Sequence, residues 1–211
     1  MPGLLSPLDF SRAKLEIETI PTGRTFGRIY WSTHPDPLGY GKSPSRFSDP
    51  RRLVAPNGFG VLCLGDSLQG CFLEAVLRDR REGLLDDLPI DEVELTQRRF
   101  AEIVTTENLR LVELRGDKAV RMGVPTDVVR AKRQSLARQW SLAFCEHPSG
   151  PDGMIYPSRL NGATNLAIYD RSVGKFQDGR GTGEEQTSVE APSLLRERRR
   201  RQDMDGEAHH L

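Results

Sequence analysis

Three polar side chains in this sequence sit among apolar neighbours in a way that gives each of them a direction. Glu74 lies in SLQGCFLEAVLRDR, residues 67–80. On a helical wheel Leu68, Cys71, Phe72, Leu73, Ala75, Val76 and Leu77 fill most of the circumference. Ser67, Gly70, Glu74 and Arg78 share the narrow polar seam that remains. A helix buried round so much of its girth tends to be central. Its seam therefore presents a carboxylate to an interior cleft, or else it is a surface strip with a Glu74–Arg78 pair at i,i+4. Arg28 stands in the short strand RIYWS, residues 28–32. An arginine there either snorkels at a sheet edge or is presented to an anion, whose oxygens its planar fork of donors fits. Ser158 follows Tyr156 and Pro157 at a strand end, where it begins a turn into Arg159, Leu160, Asn161 and Gly162 or offers its hydroxyl to a site. Taken singly, none of the three carries a function.

Other chemistries are less well supported. Gly41-Lys42-Ser43 resembles the end of a phosphate-binding P-loop, but the position five residues earlier is Asp36 where a glycine is needed, and Pro44 follows where a helix should start. The cysteines Cys63, Cys71 and Cys145 are three in number, widely spaced and without a C-x-x-C pair, which argues against a zinc site or redox motif. His34 and His147 have no spacing that pairs them with a thiol. The remaining histidines, His209 and His210, stand together near the C-terminus, so neither a cysteine nucleophile nor a metal site is expected.

The elements that must position these residues follow from periodicity and punctuation. The chain has 211 residues, 36% of them hydrophobic, enough for one packed domain with appendages. Thirty basic residues balance thirty acidic ones, so no long-range field selects nucleic acid or an anionic membrane. No apolar stretch approaches the roughly 20 residues that span a bilayer, and the N-terminus lacks a signal-peptide pattern; a reducing cytoplasm is the expected location. Strands are expected at 28–32, 61–64, 109–114, 153–156 and 166–169. Asp66 and Gln69 have capping-box spacing ahead of a helix running to about Arg81. Thr126-Asp127 precedes a single long helix through Val128, Leu136, Trp140 and Phe144. Strands and helices mix without regular alternation, which points to an α+β fold. Residues 1–23 read as an N-terminal arm and 172–211 as a mostly disordered charged tail, since few groups there can offset the entropy of ordering. An RNA contact through Arg196 and the arginines at 198–201 is the low-ranked alternative to a solvated run.

In order and spacing, several segments together resemble the RES domain family. They are the Arg28 strand, the loop PSRFSDP at 44–50, the strand and helix at 61–77, and DGMIYPSRLNGATNLAIYD at 152–170. The resemblance covers residues 24–171 and places the arginine, glutamate and serine that give the family its name at Arg28, Glu74 and Ser158. It implies a mixed β-sheet core with flanking helices akin to ADP-ribosyltransferases. It also implies an enzyme that takes NAD as substrate, without a further cofactor or metal, and cleaves the nicotinamide–ribose bond. Such an enzyme is an NAD glycohydrolase, an NAD phosphorylase or an ADP-ribosyltransferase, commonly the toxin of a toxin–antitoxin pair held by an Xre-like antitoxin. One departure is that Cys63, eleven residues before Glu74, stands where the family commonly has a tyrosine. Tyr30, Tyr40 and Tyr156 are the possible stand-ins. The alternative function is a catalytically silent RES-like module that binds a nucleotide or a protein.

The residue types suit that chemistry. The dinucleotide carries two negative charges on its diphosphate, for which Arg28 and Arg46 are the expected anchors. Expulsion of neutral nicotinamide leaves an oxocarbenium-like ribosyl cation and needs no general acid. Glu74 is expected to steady that cation, an effect of about 3–4 kcal/mol when the charge is preorganised. Ser158 is expected to orient Glu74 or the riboside, and Tyr156 to stack near the nicotinamide beside Cys63.

Overall fold

The computed structural model describes residues 10–41, 44–51, 58–78, 80, 83 and 88–179. Eight strands form one mixed sheet: β1 (Ile17–Ile20), β2 (Thr25–Trp31), β3 (Val61–Gly65), β4 (Arg98–Thr105), β5 (Leu109–Glu113), β6 (Gly153–Pro157), β7 (Thr164–Tyr169) and β8 (Phe176–Asp178). Their spatial order is β1-β5-β6-β7-β3-β2-β4-β8, with β5–β6 parallel and the other neighbours antiparallel. The α-helices among the described residues are α1 (Leu68–Phe72), α2 (Glu92–Thr96), α3 (Lys118–Arg121), α4 (Asp127–Arg130) and α5 (Ser135–Cys145), and the architecture is α+β, as the irregular order of elements predicts.

Pleat alternation divides the central strands between two cores. Val112, Met154, Ala167 and Tyr169 face one side, where they meet Trp140 and Phe144 of helix α5 (Ser135–Cys145) and Phe10 of a 3-10 turn (Phe10–Arg12). Leu62, Leu64, Leu111, Ile155, Leu166 and Ile168 face the other side with Phe26 and Tyr30. Burial on both faces explains why β6 and β7 read as continuous apolar runs instead of alternating ones.

Several local expectations are corrected. The long helix expected after Thr126 is two helices, α4 (Asp127–Arg130) and α5, separated at Ala131, whose backbone is extended (φ −64°, ψ 144°). The break is held from a distance, since the Arg46 guanidinium donates to the Ala131 carbonyl at 2.8 Å. Thr126 makes no side-chain cap. Ser67, not the Asp66–Gln69 pair, caps helix α1 (Leu68–Phe72), accepting from the Gly70 N–H. The segment read as an arm contributes β1, paired with β5, and Phe10, edge-on to Trp140 at 4.8 Å. The stretch read as tail begins inside a 3-10 helix (Asp170–Lys175), and Phe176 within it begins β8 on β4. Residues 180–211, with the Arg196 and 198–201 run, lie outside the described residues, as do Arg81 and the Lys42-Ser43 pair. Among the described residues no helix is long and apolar enough to cross a membrane.

Asp152 ties the start of β6 to three other places. Its carboxylate accepts from the Arg110 N–H at 2.8 Å, the Ser172 hydroxyl at 2.7 Å and the Lys175 ammonium at 2.9 Å. Burial by itself would raise its pKa, but these donors together hold it below the ordinary aspartate range. A lowered pKa in the folded chain means that the stabilisation is complete above the ordinary value of about 3.9 and disappears as pH falls through the folded value. Asp152→Asn is therefore expected to cost about 1.5–3 kcal/mol near neutrality. The check is urea denaturation as a function of pH: the gap between native and variant should close in acid, and a gap that persists unchanged would contradict this account.

Candidate functional site

The site is assembled where helix α1 meets the β6–β7 hairpin. Gly27 and Gly65 are paired across β2 and β3. A Cβ on Gly65 would lie 2.8 Å from the Cys71 sulfur, and one on Gly27 would lie 3.2 Å from that same atom. The two glycines therefore let α1 lie directly on the sheet. Beyond Phe72 the helix widens into a π-helical turn (Leu73–Leu77), closed by the Arg78 N–H on the Leu73 carbonyl at 2.7 Å. Arg78 ends it at φ 45°, a strained backbone position for a residue with a side chain. Insertions of this kind change the face that a helix presents, and they recur at functional sites. Here the turn carries Glu74.

The hairpin supplies the partners. Ser158 starts the connection after β6, its N–H bonded to the Ala163 carbonyl at 2.6 Å. Its hydroxyl oxygen accepts from the Leu160 N–H at 3.1 Å and its proton goes to Glu74 Oε1 at 2.6 Å. Asn165 Nδ2 donates to that same Oε1 at 3.0 Å. Asp66 accepts from the Thr164 N–H at 2.9 Å, pinning the start of β7 to the end of β3. Ser158 and Asn165 are buried, while Glu74 is half-buried. The Arg78 guanidinium bonds the Glu74 backbone carbonyl at 3.2 Å, so the surface Glu74–Arg78 ion pair does not describe this seam. The carboxylate turns to the hairpin.

Electrostatics extends the cluster. Cys63, on β3, is open to solvent, yet so much protein surrounds its thiol that burial raises its pKa; a side chain in that situation lines a concave wall. The same thiol is within electrostatic reach of Glu74, Arg28 and Arg78. Tyr156 has its hydroxyl pushed well above its ordinary range by burial first, then by Cys63 and Glu74. Its ring meets Phe47 edge-on at 4.7 Å. Arg46 has its pKa lowered by burial and further by Arg159, while Tyr156 and Glu74 act in the opposite sense. Arg46, Cys63, Glu74, Tyr156 and Ser158 thus form one neighbourhood, and Arg28 joins it through Cys63.

Arg28 stands differently from the rest. One arm of its guanidinium donates to the Pro37 carbonyl and the other to the Gly39 carbonyl at 2.5 Å, and burial lowers its pKa. Gly41 beyond them bridges to Val61 of β3. Arg28 therefore braces a loop between β2 and β3, and two of its donors are already engaged. Of the three tyrosines considered for the Cys63 position, Tyr156 is the one in reach of Glu74. Tyr30 is buried in the core with its hydroxyl unpaired, and Tyr40 is exposed and lies over Gly60. Asn165 was missed in the sequence because the strand was read from Leu166; the signal available was a polar residue immediately ahead of an apolar run. Among the described residues no group of three or more His, Cys, Asp or Glu is placed to hold a metal ion.

A family model for the RES domain matches residues 23–186 of this chain. The chain is a member of the RES domain family. A Sinorhizobium fredii (strain NBRC 101917 / NGR234) protein named "Probable toxin y4kH" is 41% identical over 100 residues, covering 47% of this chain and 79% of the relative. In fold, this RES domain is similar to a chain in the crystal structure of the M. tuberculosis MbcT-MbcA toxin-antitoxin complex. The TM-score is 0.60 at 19% identity, over 85% of this chain and 90% of the other.

Thiol chemistry can test whether Cys63, Glu74 and Arg28 share one neighbourhood without any substrate. Alkylation of Cys63 by iodoacetamide, followed by peptide mass spectrometry, should be slow at neutral pH because burial suppresses the thiolate. Glu74→Gln removes a repelling charge and should speed the reaction, whereas Arg28→Gln removes an attracting one and should slow it. Rates that neither substitution alters would mean that the three residues do not share one neighbourhood.

Proposed function

We propose that this RES domain cleaves the nicotinamide–ribose bond of NAD and acts as the toxin of a toxin–antitoxin pair. The observation that carries the proposal is the convergence of Ser158 and Asn165 on Glu74 Oε1, which leaves Oε2 as the oxygen offered to a substrate. The C1′–N bond breaks with its electron pair going to nicotinamide, which departs neutral. Positive charge then gathers on C1′ and the ring oxygen of the ribose. A carboxylate already fixed beside that ribose needs no reorganisation as the charge develops.

Other residues take supporting roles. The Ser158 hydroxyl accepts from the Leu160 N–H and donates its proton to the hydrogen bond with Glu74, an arrangement suited to positioning and not to nucleophilic attack. Tyr156 and Cys63, both in electrostatic reach of Glu74, are the side chains assigned to flank the nicotinamide riboside, with Tyr156 supplying an aromatic face. Arg46 supplies charge for the diphosphate, and Arg28 contributes by holding the 37–41 loop and with its remaining donors. Water, phosphate or a protein side chain then attacks C1′. If water attacks, its proton leaves to solvent and the product is ADP-ribose. The toxin reading is supported by the name of the S. fredii relative and by the toxin–antitoxin complex in which the similar fold occurs. The proposed partner is a small Xre-like antitoxin.

The second reading, a silent module that binds a nucleotide, is favoured by Cys63 in the usual tyrosine position. Incubation of the purified chain with NAD, with and without phosphate, separates the two. Nicotinamide release is expected, and Glu74→Gln should lower kcat by about 10²–10³-fold. Ser158→Ala and Asn165→Ala should each lower kcat by about 10- to 100-fold with little change in KM, the effect of losing one hydrogen bond to a charged group. Bound but unaltered NAD at high protein concentration would establish the silent module, and full turnover in Glu74→Gln would refute the mechanism.

A further inference from the structure

Glu74 and its two partners reach their meeting point from different elements, and the bonds to Oε1 do not by themselves fix how far α1 stands from the hairpin. Asp66, between the last residue of β3 and the residue that caps α1, bridges that distance. Its Oδ2 accepts from the Thr164 N–H at 2.9 Å, and its own N–H donates to the Thr164 carbonyl at 3.0 Å. Its Oδ1 accepts from the Ser67 hydroxyl at 3.2 Å, and the Ser67 oxygen in turn accepts from the Gly70 N–H at 3.1 Å, about one turn ahead of Glu74. Thr164 stands immediately before Asn165, and Ala163 before it accepts from the Ser158 N–H. One carboxylate therefore touches both the helix that carries Glu74 and the strand that carries Asn165. Just past the end of β5, Arg115 supports it: buried Glu113 holds the guanidinium at 2.8 and 2.6 Å, and Nη1 donates to the Thr164 hydroxyl at 3.4 Å, in electrostatic reach of Asp66.

We infer that Asp66 is a positioning residue for Glu74: by accepting from Thr164 and Ser67 at once, it sets the separation at which Asn165 and Ser158 reach Oε1. Asp66 is exposed, where a charged contact adds little to the stability of the whole fold. Its placement between two elements matters for geometry instead, because a reacting group displaced by about 1 Å can lose about 10²-fold in rate. Two acceptor oxygens are needed for this, one for each element, and the short aspartate side chain holds both close to its own backbone. The inference deepens the NAD reading; it rests on that reading for the effect on turnover and not for the effect on the Asn165–Glu74 bond.

Two readouts on the full chain test it, one with substrate and one without. Proton–nitrogen correlation spectra report the side-chain amide of Asn165, assigned by its absence from Asn165→Ala. In the native chain one of its protons should be shifted downfield and exchange slowly, as expected for a donor to a carboxylate. Asp66→Ala should remove that shift and speed the exchange about tenfold or more, whereas Asp66→Asn, which keeps an oxygen for the Thr164 N–H, should retain most of both. With NAD, Asp66→Ala should lower kcat about tenfold and leave KM within about twofold, and Asp66→Asn should restore most of the rate. Either readout unchanged in a folded Asp66→Ala chain would overturn the inference. So would a native chain without the amide signature, or an Asp66→Asn chain as impaired as Asp66→Ala, since the acceptor would then not be what positions Glu74. If Asp66→Ala fails to fold, Asp66→Ser is read in its place, because its single, shorter oxygen cannot serve Thr164 and Ser67 together; unchanged readouts there overturn the inference equally. A native chain that releases no nicotinamide would end the NAD reading, and the amide readout would then decide the role of Asp66 alone.

Discussion

The carboxylate of Glu74 is held by one oxygen. A hydroxyl from the Ser158 turn and an amide from Asn165 at the start of β7 both converge on Oε1, and their burial keeps water from competing for it. Much of the surrounding architecture can be understood as what that contact requires. The helix bearing Glu74 must lie directly on the sheet, which the paired Gly27 and Gly65 beneath Cys71 permit. The helix must also turn Glu74 toward the hairpin, which the π-helical turn accomplishes. The hairpin must be fixed relative to β3, which Asp66 does by bonding Thr164.

Charge is distributed unevenly about this carboxylate. Arg28 is committed to carbonyls of the 37–39 segment and so maintains the wall on the β2–β3 side. Arg130, at the end of α4, and Arg159, in the hairpin connection, line one hollow, and Arg46 stands in electrostatic reach of Arg159. Cys63 and Tyr156, both in electrostatic reach of Glu74, carry groups whose ionised forms are suppressed by burial.

How much was legible in the sequence varies by element. β6 and β7 were evident because burial on both faces gives continuous apolar runs, and β3 and β5 because most of their residues are apolar and buried. β8 was not, because its three residues gain their stability from β4, far away in the chain. The long helix expected after Thr126 failed for a related reason: local periodicity continues through 131–134, and a contact from Arg46 holds the interruption. The polar seam containing Glu74 was visible on a helical wheel, but whether it met water or a cleft was not.

What the sequence by itself determined is the set of apolar patterns, the α+β class and, through the order of its motifs, membership of the RES domain family. Those features are written in local periodicity and spacing, which survive without knowledge of distant contacts. Only the tertiary structure decided that Asn165 shares Glu74 with Ser158, that Arg28 is braced against a loop, and that Arg130 and Arg159 face one hollow. Each of these is a meeting between segments far apart in the chain, and the direction of a side chain across such a distance depends on how whole elements pack.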